Sequence, residues 1–420
     1  MADPVFMTAK QAAATLGISL PTLYAYVSRG LIRSEAGGGS RSRRYRTEDV
    51  ADLRARRKRT RDPEATAAAA LDFGAPVLES ALTLIDRGQL YYRGQDVRRL
   101  AERMTLEQVA ALLWQVGQDP FAPDNLPPAI DAVLPRGLAP ANRCLILLSL
   151  ADAIDSEAVA AGVPAAYRQG ARVMRLVAAA AAGVAPAAEP LHRLLVRGWR
   201  IESRKSADLI RAALVLAADH EFNVSAFTVR CIASAGSSLY GAVIGGIAAL
   251  QGSRHGGASA QAETFLAELA ASDDLRGAIG LRLQRETAAR WRQAAGQGDG
   301  RPRALRGEQL PGFGHPLYRD GDPRAAWLLG QLAAHGSGAA DFALTVASQV
   351  GDMIGERPNL DFALAALARA VRLPAGAPLA LFAVGRCAGW IGHALEQYAA
   401  GSLIRPRARY VGPAPATIAP

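Results

Sequence analysis

The sequence predicts an all-α protein carrying a separate basic head, and three observations lead there. Alanine, the strongest helix former, is abundant, while aromatic residues make up only 6% of the 420 positions. No strand–helix alternation runs along the chain, which argues against a doubly wound sheet. The charge is lopsided: residues 1–62 hold thirteen Lys and Arg against six Asp and Glu, a net +7, which leaves +3 of the total +10 for the other 358 residues. Such a head points to a polyanionic partner. Half of the chain is hydrophobic and a fifth charged, a globular composition with room for two or three domains.

In chain order, Thr8 to Leu16 reads as a short helix, Gly17-Ile18-Ser19 as a turn, and Leu20 to Val27 as a second helix with Pro21 early, where proline is tolerated. Helix, tight turn, helix is the helix-turn-helix pattern. Gly30 to Arg33, the glycine tip 37–39 and Arg41 to Tyr45 read as a hairpin wing with a basic return strand. Thr47-Glu48-Asp49-Val50 opens a further helix with acids in its first turn. Residues 59–74 read as a linker. Apolar spacing then predicts one amphipathic helix from Arg98 to Gln115, followed by long Ala/Leu helices over 143–162, 166–182 and 206–218.

Cys231 to Ser253 runs 23 residues without a charge and contains Gly241-xxx-Gly245. Its length permits a membrane span. Four serines, five glycines and Arg on both flanks favour a buried helix pair with glycines at the contact, and no membrane. The three cysteines, Cys144, Cys231 and Cys387, lie far apart, so neither a zinc site nor a disulfide framework is indicated and a reducing cytoplasm fits. The N-terminus has no long apolar core of the secretory kind.

Chemistry concentrates in a few polar interruptions. Pro311 to Arg324 crowds three prolines, three glycines, one histidine and two arginines into a shaped loop. His315 with Arg319 and Arg324 suits the binding and protonation of a small polyanion; from these residues alone a solvated surface loop fits as well. His220 lies in a polar break between apolar helices, where it is either functional or a satisfied helix-end histidine. His255 precedes two glycines and an Ala-rich helix from Ala258 to Ala271, a place that favours the neutral imidazole. Asp361, at the edge of an apolar helix, suits a general base by partial burial and an N-cap equally. Arg386 sits inside an apolar helix, and a buried guanidinium needs a carboxylate from protein or ligand. The six histidines have no metal-pair spacing, so no metal is expected.

Two resemblances connect these residues. The strings AATLGISLPTLYAYVSRGLI and RRYRTEDVADL make residues 7–56 resemble the MerR-like and excisionase-like winged DNA binders. That resemblance implies DNA contact through Thr22, Tyr24, Arg29, Arg43 and Arg44. The strings LYYRGQDV…LLW, DHEFNVSAFT, HGGA, PGFGHPLYRDGDPRA, NLDFALA, GRCAGWIGHALEQ and RPRARYVG follow the order of the citrate synthase family, over residues 75–413. This second resemblance implies a helical homodimer in which a large and a small domain close over the substrates. The domains would run 1–58 (winged helix-turn-helix), 59–74 (linker), 75–256 (large domain, first part), 257–375 (small domain) and 376–420 (large domain, last part).

The same resemblance implies a tricarboxylic acid cycle transferase, converting an acyl group into an alkyl group on transfer, with no cofactor beyond an acyl-CoA co-substrate. Oxaloacetate would be held by His220, His315, Arg324 and Arg386, and by Arg407 of the partner subunit. Asp361 would be the base, His255 the donor to the enol oxygen and His315 the acid, with Arg319 facing the CoA phosphates. Arg254 and Ser259 stand where the family usually has Leu and Asn, which bears on the choice between acetyl-CoA and propionyl-CoA. The Gly/Arg-rich stretch 292–309 reads as a mobile segment over the CoA site. The rival reading is a DNA-binding transcription regulator whose enzyme-like body senses metabolites.

Overall fold

The computed structural model describes residues 6–29, 31–36, 43–47, 49–51, 53–54, 78–155, 163–253, 255–295, 310–318 and 320–413. The linker 59–74, the wing tip 37–42, Arg254, Arg319 and most of 292–309 lie outside the described residues. The chain divides into two compact units, Met1–Glu79 and Ser80–Pro420.

In the first unit, β1 (Phe6–Thr8) leads into α1 (Ala9–Leu16) and α2 (Leu20–Ser28). Thr8 begins α1 with a capping box: its hydroxyl accepts Gln11 N–H, and Gln11 Oε1 accepts Thr8 N–H. Gly17 ends the helix with a left-handed φ of 61°, and Ser19 caps α2 ahead of Pro21. β2 (Ser34–Ala36) pairs antiparallel with β3 (Arg43–Arg46), and β1 pairs with the other edge of β3. Ala12, Leu16, Leu23, Ile32, Tyr45 and Val50 form the core of this unit. Arg33 grips Asp49 with Nε and Nη2 at 2.9 and 2.8 Å, joining the strand region to the last helical residues.

The second unit opens with a small antiparallel sheet, β4 (Thr83–Asp86), β5 (Gln89–Tyr92) and β6 (Gln95–Asp96). Both of its turns have two residues, Arg87-Gly88 and Arg93-Gly94, all at positive φ, as I′ hairpins require. Tyr92 is fully buried, and its hydroxyl reaches the Asp219 carbonyl oxygen at 3.1 Å.

The helix expected over Arg98–Gln115 is two helices, α3 (Val97–Arg103) and α4 (Leu106–Trp114). Met104 is extended, and Thr105 starts a new capping box with Gln108, so local side-chain bonding interrupts an otherwise continuous apolar spacing. The remaining helices are α5 (Pro140–Ile154), α6 (Val163–Ala182), α7 (Leu191–Gly198), α8 (Arg204–Leu216), α9 (Val224–Ser234), α10 (Leu239–Leu250), α11 (Gly257–Ala270), α12 (Leu275–Ala295), α13 (Pro323–His335), α14 (Gly338–Ile354), α15 (Leu360–Ala370) and α16 (Ala377–Ala400). The first of the long helices begins earlier than its apolar run because Pro140 is accommodated in the first turn.

The uncharged 231–253 stretch breaks at Ala235–Ser238 into the ends of α9 and α10, which pack together with Gly245 facing Ile232. No helix among the described residues is long and apolar enough to cross a membrane. α16 is the central element, packing against α4, α6, α8, α9, α10, α11 and α15. Its Gly385 and Gly389 allow close approach to the end of α8: a Cβ on Gly385 would stand 2.6 Å from Leu214 O, and one on Gly389 2.5 Å from Ala218 O. That approach sets where Arg386 and the polar turn at 219–223 meet.

Candidate active site

The histidine loop and the helix carrying Asp361 are built as one piece. Asn359 caps α15, its Oδ1 accepting Asp361 N–H at 3.0 Å and Phe362 N–H at 3.3 Å. Its Nδ2 donates to Gly314 O at 3.1 Å, and its backbone N–H to Gly312 O at 2.9 Å. Gly314 N–H donates back to Arg357 O at 2.8 Å. Asn359 is buried, so all these bonds are made away from water. The cap of α15 is therefore Asn359, and the Asp361 carboxylate is left for other work.

Asp322 caps α13 and holds Arg324, and both are buried. Burial pushes the Asp322 pKa up, but the Arg324 guanidinium outweighs it and holds the carboxyl below its usual range. Arg324 is likewise opposed by burial and kept charged by Asp322. Its guanidinium also lies over the Tyr318 ring at 5.7 Å.

His220 Nε2 meets Tyr318 Oη at 2.8 Å, and the His220 ring stands edge-on to the His315 ring at 5.1 Å. Burial, then the charge on Arg324, pushes the His220 pKa well below 6.5. His315 is pushed to about 4 by the same two causes. At neutral pH both rings are uncharged. Leu317 N–H donates to His315 Nδ1 at 3.1 Å, so the single ring proton of His315 is on Nε2.

His255 Nε2 lies 2.7 Å from Ser225 Oγ, and burial followed by the nearby Arg386 lowers its pKa to about 4. The Ser225 hydroxyl also accepts Trp390 Nε1–H at 3.1 Å and reaches Asn223 Oδ1 at 2.7 Å. It has one proton for two acceptors. Given to Asn223, that proton leaves His255 protonated on Nε2; given to His255, it places the ring proton on Nδ1.

Asp361 accepts from the Ser259 hydroxyl through Oδ1, and burial raises its pKa to about 6. Arg386 is buried, its Nε donates to Ala217 O at 2.8 Å, and its guanidinium lies 4.6 Å from the Phe382 ring centroid. Its Nη1 is buried without a hydrogen-bond partner among the described residues, and burial lowers its pKa to about 10. Asp219 and His393 form a further buried pair beside His220, Oδ1 and Nε2 standing 3.2 Å apart but off the line of a hydrogen bond.

The structure thus gathers His220, His255, His315, Arg324, Asp361 and Arg386 around one place. Arg407 is exposed, in the segment after α16 that is neither helix nor strand. On the first unit, Tyr24 is 51% exposed, Arg29, Arg43 and Arg44 are exposed, and Thr22 is half-buried against Ser19 at 2.9 Å. Sequence reasoning missed Tyr318, Asp322, Asn359 and Ser225. Asp322 and Asn359 carried a local signal, each a capping residue directly before a helix. Among the described residues no three His, Cys, Asp or Glu side chains gather as a metal site would need.

Residues 72–407 match the family described as citrate synthase, C-terminal domain, and residues 6–58 match a helix-turn-helix domain. A citrate synthase of Haloferax volcanii is 31% identical over 377 residues, spanning 81% of this chain and 94% of that one. A 2-methylcitrate synthase of Shewanella oneidensis is 28% identical over 374 residues, spanning 79% and 91%. Among solved structures, the citrate synthase of Thermotoga maritima superposes with a TM-score of 0.63 at 25% identity, covering 83% of this chain and 96% of that chain. With its core helices and its clustered histidines, arginines and aspartate lying inside the matched stretch, the chain belongs to the citrate synthase family and carries a helix-turn-helix domain at its N-terminus.

Proposed function

We propose that the second unit condenses oxaloacetate with acetyl-CoA, or with propionyl-CoA to give 2-methylcitrate. The observation that carries this reading is Asp361, a carboxylate that accepts from Ser259 and is raised to about 6 by burial, against the lowering pull of Ser259, Arg324 and Arg386. A base of that strength is half or more ionised at neutral pH and still matched to proton transfer. Arg386 Nη1 and the arginine charges answer to a dicarboxylate.

Asp361 takes a proton from the α-carbon of the thioester. The enol oxygen receives a hydrogen bond from His255 Nδ1–H, the tautomer set when Ser225 turns its proton to Nε2. The α-carbon bonds to the ketone carbon of oxaloacetate while His315 Nε2–H protonates the ketone oxygen, giving a hydroxyl, and the proton taken by Asp361 returns through water to His315 Nε2. Water then cleaves the thioester to the free acid and the CoA thiol. His220, Arg324 and Arg386 hold oxaloacetate, Arg407 of a second copy completes the grip in a homodimer, and Arg319 faces the CoA phosphates. The part 257–375 closes against the rest. Gly256 and Gly376, which precede α11 and α16, stand at its two borders.

The first unit contacts DNA through Thr22, Tyr24, Arg29, Arg43 and Arg44. Their placement on a small unit with a basic return strand supports this reading. Thiol release from acetyl-CoA and propionyl-CoA in the presence of oxaloacetate tests the condensation and ranks the two. Tight binding of oxaloacetate without any thiol release would favour the metabolite-sensing regulator instead.

A further inference from the structure

We infer that Ser259 is a positioning residue for Asp361, fixing which carboxylate oxygen acts as base and joining it to the helix that follows His255. This rests on the condensation reading above. Ser259 is fully buried in the first turn of α11 and donates its hydroxyl proton to Asp361 Oδ1. Asp361 Oδ2 has no protein partner among the described residues, so the carboxylate is held at one oxygen and left free at the other. The backbone carries the link on: Ser259 N–H donates to Gly256 O at 3.0 Å, and Ala258 N–H to His255 O at 2.9 Å. His255 and Asp361 come from segments about a hundred residues apart, and one buried hydroxyl connects them.

A hydrogen bond to the ionised form favours that form, so Ser259 acts against the burial that raises the Asp361 pKa. The charged groups acting on Asp361 are Arg324 and Asp322 at the start of α13 and Arg386 of α16. Glu263 of α11 is turned to Gly376 N–H at 3.2 Å, and Asp341 and Asp352 of α14 are exposed. Ser259 is thus the neutral contact through which the base is oriented.

The test is carbon-13 NMR titration of the Asp361 carboxyl in the full chain, its signal assigned by loss in Asp361→Asn. Ser259→Ala is expected to raise its pKa by about one unit, lowering the ionised fraction at pH 6 about fivefold. Ser259→Thr, which keeps the hydroxyl, returns it toward the parent value. An Ala variant titrating like the parent, or Ala and Thr variants shifted equally, would overturn the assignment. The acid limb of thiol release is expected to move with the carboxyl in Ser259→Ala, and an unmoved limb rules out the catalytic side of the inference. If the parent protein releases no thiol from either acyl-CoA, the condensation reading fails, while the titration still decides whether Ser259 holds the carboxylate.

Discussion

Asp322 holds Arg324 by both carboxylate oxygens, Oδ1 to Nε at 3.0 Å and Oδ2 to Nη2 at 2.7 Å, and Oδ2 also accepts Leu360 N–H at 3.1 Å. One buried carboxylate therefore orients Arg324 and fixes the first turn of the helix bearing Asp361. Asp322→Asn puts an amide N–H against the guanidinium and leaves its charge uncompensated. Removing one partner of a buried pair costs about 3–5 kcal/mol. Urea denaturation is expected to show a loss of that order, together with a raised KM for oxaloacetate. Unchanged stability would mean that Asp322 is dispensable to the frame.

The identities of the polar residues were legible in the sequence; their partners were not. Arg386 stands out because a charge interrupts an apolar helix, and His255, His315 and Asp361 because they sit in Gly/Pro-rich turns or at the edge of an apolar helix. Asn359 is legible as a cap but not as the partner of Gly314, 45 residues away, a neighbour that only the fold supplies. Ser225 is hidden in the same way, its partner His255 being 30 residues on. The hairpins at Arg87-Gly88 and Arg93-Gly94 were readable from their X-Gly turns, yet their strands are short enough to vanish inside a helical composition. The break at Met104 was missed because periodicity does not register a capping box. The Ala-rich helices were read well in kind and less well at their ends, where Pro140 and the individual caps decide.

Gly385 gives a test of close packing. Its α-carbon faces Leu214 O and Ala217, the residue whose carbonyl takes Arg386 Nε. Backbone cannot rotate aside as a side chain can, so Gly385→Ala must move α16 away from α8. Overpacking of this kind costs about 1–3 kcal/mol. A lower thermal midpoint and a weakened grip on oxaloacetate are expected together. A stable variant with unchanged KM would show that α16 can shift without disturbing Arg386.

Buried histidines, two of them in the site and one on α7, set the acid stability of the protein. His192, His255 and His315 are held to about 4, below the unfolded value of about 6.5, so the unfolded chain binds more protons between those limits. Their contribution is full above about pH 6.5 and is lost as pH falls toward 4. Asp361 acts in the opposite sense: raised to about 6, it costs stability as pH rises through that window. Glu221 and Glu263, also raised by burial, act with Asp361, while the lowered Asp96, Asp219 and Asp322 act with the histidines, so the urea midpoint is expected to climb between pH 4.5 and 7. Asp361→Asn is expected to abolish turnover and yet to be more stable than the parent at pH 7, by about 1–3 kcal/mol, with the gap closing toward pH 4. A variant no more stable at pH 7 would mean that the carboxylate is not strained by burial.

The head offers a test independent of the condensation chemistry. Arg43 and Arg44 are exposed on β3, next to each other in the return strand, while Tyr24 and Arg29 are exposed on and just after α2. Contacts to phosphate release counterions, and each such contact contributes about −0.9 to the slope of log affinity against log salt. Retardation of a random duplex by the full chain is expected at low salt and to fade as salt rises. Arg43→Ala and Arg44→Ala are each expected to flatten that slope by about one. Tyr24→Ala, on the helix expected in the major groove, should instead weaken preferred sequences more than random ones. Absence of retardation at low salt, or arginine variants with the parent's slope, would remove DNA from the partners of this head.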